Sequence, residues 1–73
     1  IYPNPFNNQF TVEYEADSQS AYLAIYNLMG VKIAEQPIIS TKTKVDVGNI
    51  SNGIYFVIIQ DGIKKLHHKL VKQ

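Results

Sequence analysis

Alternating apolar and polar residues, broken by turn-forming pairs about every 8–12 residues, predict an all-β fold, a sandwich or a barrel. No stretch sustains helical periodicity; the apolar residues recur with period two, the pattern of half-buried strands. Near the end, GIYFVIIQ and IKKLHHKLVKQ flank Asp61-Gly62. An Asp-Gly pair between two β-rich runs is a strong hairpin signal, because a type I′ turn needs positive φ at both central residues.

Each strand rests on its own alternation. In Gln9–Glu15, Phe10, Val12 and Tyr14 alternate with Thr11 and Glu13. In Ala21–Tyr26, Leu23 and Ile25 fall on one face and Tyr22, Ala24 and Tyr26 on the other. Val31 and Ile33 flank Lys32 in a strand over Val31–Gln36. Val45 and Val47 flank Asp46 in one over Lys42–Val47. Gly53–Gln60 and Ile63–Lys72 make the last two. A short strand around Ile1-Tyr2 pairs at an edge, because Pro3 and Pro5 cannot donate to a central ladder. The turn signals between strands are Pro3-Asn4-Pro5, Asn7-Asn8, Asp17-Ser18, Asn27 to Gly30, Gly48-Asn49, Asn52-Gly53 and Asp61-Gly62.

A two-residue turn at Asp61-Gly62 pairs Gln60 with Ile63, Val57 with Leu66 and Tyr55 with His68. Tyr55, Val57 and Ile59 then share the core face with Leu66, His68 and Leu70, leaving His68 half-buried beside Tyr55. Ile54, Phe56 and Ile58 share the outer face with Ile63, Lys65, His67 and Lys69. Phe56 and Ile58 beside Lys65 and His67 form a binding strip. A one-residue slip would exchange the two faces.

The 73 residues suffice for one small domain, and a domain of this size buries only about 60% of its unfolded surface. There is no cysteine, hence no disulfide and no thiolate metal site. Residues 1–31 carry Glu13, Glu15 and Asp17 and no lysine, a charge of −3; residues 32–73 carry seven lysines against Glu35, Asp46 and Asp61, +4. The absence of arginine removes bidentate phosphate and base recognition, so nucleic acid is a poor partner. No apolar run approaches the roughly 18 residues of a membrane span. No signal peptide opens the chain and it does not begin with Met, so it reads as the C-terminal part of a longer precursor.

Catalytic chemistry has no constellation to rest on. His67 and His68 point to opposite faces of a strand and cannot chelate one ion together. Glu13 and Glu15 share a solvated strand face, without the cleft that paired carboxylates need. Ser18, Ser20, Ser40 and Ser51 sit in turn contexts without a nucleophile elbow. The four glycines are scattered, one per turn, and make no phosphate loop; Asn52-Gly53 supplies a turn with positive φ. No cofactor is implied. Tyr2, Tyr14, Tyr22, Tyr26 and Tyr55 fit a strand composition and, alternatively, a carbohydrate-stacking platform. Lys64, Lys65, Lys69 and Lys72 fit both a charged edge that resists aggregation and a dock for an acidic or edge-pairing partner.

Four strings occur in order: YPNPF at Tyr2–Phe6, LAIYNLMGVKI at Leu23–Ile33, VDVGNISNGIYFVII at Val45–Ile59, and HKLVKQ at His68–Gln73. Together they resemble the type A C-terminal sorting domain of the type IX secretion system of Bacteroidetes. The resemblance implies a small immunoglobulin-like antiparallel β-sandwich of about seven strands, the last domain of a secreted precursor. It implies an address label with no activity of its own, carried through the periplasm to the cell surface or beyond. The implied partners are the outer-membrane translocon, a β-barrel shuttle protein, a sortase-like cysteine peptidase that removes the domain, and the N-terminal cargo. Pro3, Asn4 and Pro5 match the family's opening turn and Gly30 its mid-chain glycine. Gly53 and Tyr55 match its Gly-x-Tyr segment, and Lys69, Leu70, Val71 and Lys72 its terminal motif. With Lys64 and Lys65 these are the expected recognition residues. Lys32 stands near the place where the family often has Arg, which keeps the charge and loses the planar fork. The cleavage site then lies upstream of Ile1. The rival expectation is a carbohydrate-binding or adhesion module attached to a surface enzyme.

Overall fold

The computed structural model describes residues 1–3 and 5–73; Asn4, expected in the opening turn, lies outside the described residues. Among the described residues six strands follow one another without a helix: β1 Gln9–Glu13, β2 Tyr22–Asn27, β3 Lys32–Pro37, β4 Lys42–Asp46, β5 Gly53–Asp61 and β6 Lys64–Lys72. They form two antiparallel sheets, one of order β1-β4 and one of order β3-β2-β5-β6. This is the expected β-sandwich with six strands instead of about seven. The short N-terminal strand is reduced to one bridge, in which Tyr2 exchanges hydrogen bonds of 2.9 and 2.7 Å with Thr11.

The inward residues are those that alternation picks out. Phe10, Val12, Leu23, Ile25, Val45, Val57, Ile59 and Leu70 are essentially inaccessible, and Phe6, Ala21, Ile38 and Tyr55 complete the core. The rings of Phe6 and Phe10 meet edge to face with centroids 5.0 Å apart, worth about 0.5–1.5 kcal/mol beyond area burial. The smaller sheet is two strands wide and the larger four, so the flanks of the larger sheet are left open. Val31 and Ile33 therefore stay exposed at the β3 edge, where the ladder skips a residue between Ile25–Ala34 and Tyr26–Lys32. The strict alternation expected across Val31 and Ile33 is lost at that bulge.

The closing hairpin departs from its expected register. Its last pair is Asp61–Lys64, so the two loop residues are Gly62 and Ile63. Gly62 has φ +61°, and no non-glycine among the described residues has positive φ. Glycine first and Ile63 second, with negative φ, is the type II′ pattern; a β-branched Ile63 could not take the second left-handed position of type I′. The pairs are thus Gln60–Lys65, Val57–His68 and Tyr55–Leu70. The partner strand slides by two residues, which leaves every side chain on its expected face. His68 faces inward opposite Val57 but is exposed, because the narrow second sheet does not reach that flank.

Asp61 is a ladder residue whose buried carboxylate faces inward. It accepts hydrogen bonds from the Tyr14 hydroxyl at 2.7 Å, the Asp17 N–H at 2.8 Å and the Ser18 N–H at 2.7 Å. These bonds tie the β5–β6 corner to the loop that leaves β1. The Asp17 and Tyr14 donors, with help from Ser18 and Lys64, hold the Asp61 carboxyl below its ordinary pKa against the opposing effect of burial. The same contact, foremost the hydrogen bond, raises the Tyr14 phenol. Lys64 forms an ion pair with Asp17 across this corner.

Candidate recognition end of the sandwich

Segments far apart in sequence meet at the opposite end from Asp61. The β2–β3 loop is closed by Asn27, whose Oδ1 accepts the N–H groups of Met29 and Val31 at 2.9 and 3.0 Å. Its carbonyl accepts the Gly30 N–H at 3.0 Å. The loop lifts Leu28 and Met29 into solvent, 66% and 87% exposed. Beside it runs the entry to β5, and an open cleft of about 310 Å³ is lined by Asn27, Leu28, Met29, Ser51, Asn52 and Ile54 among others.

Gly53 opens β5 at φ +147°, a conformation that side-chain-bearing residues rarely adopt, so glycine is required there. Two residues on, Tyr55 turns inward; its hydroxyl donates to the Ser51 carbonyl at 2.6 Å. A buried tyrosine bonded to backbone a few residues upstream pins a sandwich corner. Gly53 pairs with Lys72 at the end of β6, and the Lys72 Nζ lies 3.5 Å from Asn52 Oδ1.

The N-terminal segment closes the same end. Phe6 bridges Lys72 in parallel; its N–H donates to the Val71 carbonyl, and its carbonyl accepts the Gln73 N–H, both at 2.9 Å. The final residues are thus held between β5 and Phe6. Leu70 is wholly buried, Lys72 is 9% exposed, and Val71 is half-buried.

The expected recognition residues divide accordingly. Pro3 and Pro5 are exposed in bends, and Asn4 lies outside the described residues. Gly30, Gly53, Val71 and Lys72 gather at this end, while Lys69 is exposed one step before it along β6. Tyr55 and Leu70 point into the core. Lys64 and Lys65 sit near the other end of β6, next to the Asp61 corner. Sequence reasoning placed Leu28 and Met29 in the Asn27 to Gly30 turn but did not single them out as recognition residues; their apolar character alone does not mark the exposure that the loop closed by Asn27 gives them. It also took Asp61 for a turn residue; a loop at Asp61-Gly62 and one at Gly62-Ile63 are equally compatible with the local sequence.

The outer face of the larger sheet carries Tyr22, Ala24 and Tyr26 beside Phe56 and Ile58, with His67 and Lys69 next in register. Phe56 and Ile58 are half-buried there. The five tyrosines do not share one platform. Tyr22 and Tyr26 lie on this face, Tyr55 is in the core, Tyr14 serves the Asp61 corner, and Tyr2 bridges β1.

Two antiparallel sheets and an exposed loop beside the entry to β5 make the chain a small β-sandwich module. The family described as the secretion system C-terminal sorting domain matches residues 1–73, the whole chain, and the chain belongs to it. It is a type IX secretion sorting signal, of a family that directs export toward the cell surface or extracellular space and is not a family of enzymes. No curated protein matches the chain significantly.

Proposed function

We propose that the chain is the last domain of a longer precursor and carries its cargo across the outer membrane, read chiefly at the end where its signature segments converge. The translocon and the β-barrel shuttle protein contact Pro3, Pro5, the Leu28–Gly30 loop, Gly53-Ile54, Lys69 and the outer surface where Phe6 joins Val71 and Lys72, while the precursor is in the periplasm. A sortase-like cysteine peptidase then separates the cargo at the cell surface. Tyr55 and Leu70 act from the core, by holding that end in shape.

One observation carries this reading: Phe6, Asn27–Met29, Ser51–Ile54 and Val71–Gln73, dispersed along the chain, adjoin one another at a single end. The test is export of a periplasmic reporter fused to residues 1–73. The unaltered fusion is expected outside the cell. Leu28→Ser with Met29→Ser, two exposed positions, is expected to leave the domain folded and to trap the fusion inside. Normal export of the folded double variant would overturn the assignment of this end.

A further inference from the structure

Among the described residues two charged side chains are buried, Asp61 and Lys72, and they are treated differently. The Asp61 carboxylate accepts three hydrogen bonds. Lys72 follows Leu70 on the inward face of β6, with 9% of its surface exposed. No ion pair involves it among the described residues. The contact its ammonium makes is with Asn52 Oδ1 at 3.5 Å, longer than the usual range of about 2.7–3.2 Å. Burying a cation is costly unless an anion meets it. Lys72 carries that cost at the end of the sandwich where the signature segments converge.

Asn52 links this ammonium to the cleft beside the β2–β3 loop. It is exposed and lines the cleft, and its Oδ1 is what Lys72 reaches. Its amide N–H groups have no partner among the described residues. A carboxylate arriving there takes one charge-assisted bond from Lys72 and a second bond from the Asn52 amide. Leu28, Met29 and Ile54 border the same cleft and are exposed. The Met29 thioether adapts its shape and meets aromatic rings favourably. A neutral or basic visitor leaves Lys72 unpaired, and a purely polar one leaves the three apolar side chains in water.

We propose that this cleft and Lys72 together receive a segment of a partner protein in which an aromatic side chain adjoins a carboxylate. The ring lies against Met29 and Ile54, and the carboxylate is held by the Lys72 ammonium and the Asn52 amide. The inference rests on the sorting assignment and names the chemistry by which that end is read. Aromatic anchors supply much of the energy of protein interfaces, and the buried lysine supplies the selection.

Met29 is the single methionine of the chain, so ¹³C at the methionine methyl gives one resonance, and it reports on the cleft. The probe is acetyl-Phe-Glu-amide. It is expected to move that resonance by ring-current shielding, with a Kd on the order of 1 mM. Acetyl-Phe-Gln-amide, which lacks the charge, and acetyl-Ala-Glu-amide, which lacks the ring, are expected to bind about tenfold more weakly. Lys72→Met is expected to cause the same loss of affinity with no fall in the urea midpoint, because it removes an unpaired buried charge and keeps the volume. Asn52→Asp places a carboxylate beside Lys72 within the chain; it is expected to raise the midpoint and to weaken the probe likewise. The proposal is overturned if the glutamine peptide binds as well as the glutamate peptide, or if either variant binds the probe as well as its parent. A lower midpoint for Lys72→Met, the mark of a merely structural lysine, overturns it too, as does an unmoved resonance at about 10 mM probe. An exported wild-type fusion matched by an equally exported, folded Lys72→Met fusion also overturns it and leaves the sorting assignment intact. A wild-type fusion retained inside overturns the sorting assignment, while the titration still decides the contact.

Discussion

Leu70→Ala tests whether the end of β6 belongs to the fold or only to a recognition signal. Leu70 is wholly buried, among Phe6, Tyr55 and the rest of the core. Truncation to alanine deletes three carbons, about 2.4 kcal/mol at ~0.8 kcal/mol per buried methylene. The cavity left behind adds to this, and the total is about 3–4 kcal/mol, within the range for buried leucines. A chain of this length holds roughly 4–11 kcal/mol at ~0.05–0.15 kcal/mol per residue. The loss is therefore a large fraction of the whole. In urea, with a slope of about 1 kcal/mol/M at this size, the unfolding midpoint is expected to fall by roughly 3 M. A fall of less than about 0.5 M would refute the packing argument and leave Leu70 as a surface contact. The outcome also decides how terminal deletions are read. Removing Lys69–Gln73 deletes Leu70 together with both hydrogen bonds to Phe6, so a trapped deletion fusion reports unfolding as well as lost recognition.

The remaining predictions concern the two ends of the larger sheet. The folded pKa of Asp61 is depressed, so its contribution to stability is present above the unfolded carboxylate value and is lost as pH falls through the folded value. Asp61→Asn is expected to be less stable at neutral pH and to lose less on acidification; parallel acid profiles for the two proteins, followed by circular dichroism, would contradict the assigned role. Gly53→Val, at φ +147°, is expected to cost more than about 1 kcal/mol, read from urea midpoints; an unchanged midpoint would mean the strand entry relaxes freely. Tyr55→Phe removes the bond to the Ser51 carbonyl and is expected to cost about 0.5–1.5 kcal/mol, against roughly 3–5 kcal/mol for Tyr55→Ala; an unchanged thermal melt for Tyr55→Phe would deny the hydroxyl any share.

How much of this was legible in the sequence depends on which physical quantity each feature reflects. Face assignments survive because strand side chains alternate strictly, so Leu23 with Ile25, and Tyr55 with Val57 and Ile59, declare the core side wherever the turns fall. Register is less legible: Asp61-Gly62 and Gly62-Ile63 are both plausible loops, and Asp61 is buried for a reason no local pattern contains. Its donors come from Tyr14, Asp17 and Ser18, more than forty residues away. Exposure at the flanks is likewise nonlocal. His68, Leu66, Val31 and Ile33 have core-like or mixed patterns, and it is the two-strand width of the opposing sheet that leaves them open. The recognition segments were visible one by one, through YPNPF, the Gly30 loop, Asn52-Gly53 and the terminal lysines. Their convergence was not, because it depends on Phe6 joining β6 and on β5 lying between β2 and β6.

That convergence ties what a partner can read to whether the domain is folded. In an unfolded chain Phe6 and Val71 are separated by most of the sequence, and Met29 and Ile54 by about a third of it; only the β2·β5 and β5·β6 ladders and the Phe6 bonds bring them to one end. A core variant such as Leu70→Ala disperses the segments in proportion to the unfolded population, so its effect on export follows temperature and denaturant. The Leu28 and Met29 substitutions alter the same end without moving that equilibrium. Export measured against stability for the two kinds of variant therefore falls on different lines, and a single shared line would mean that foldedness alone, and no particular surface, is what the machinery senses.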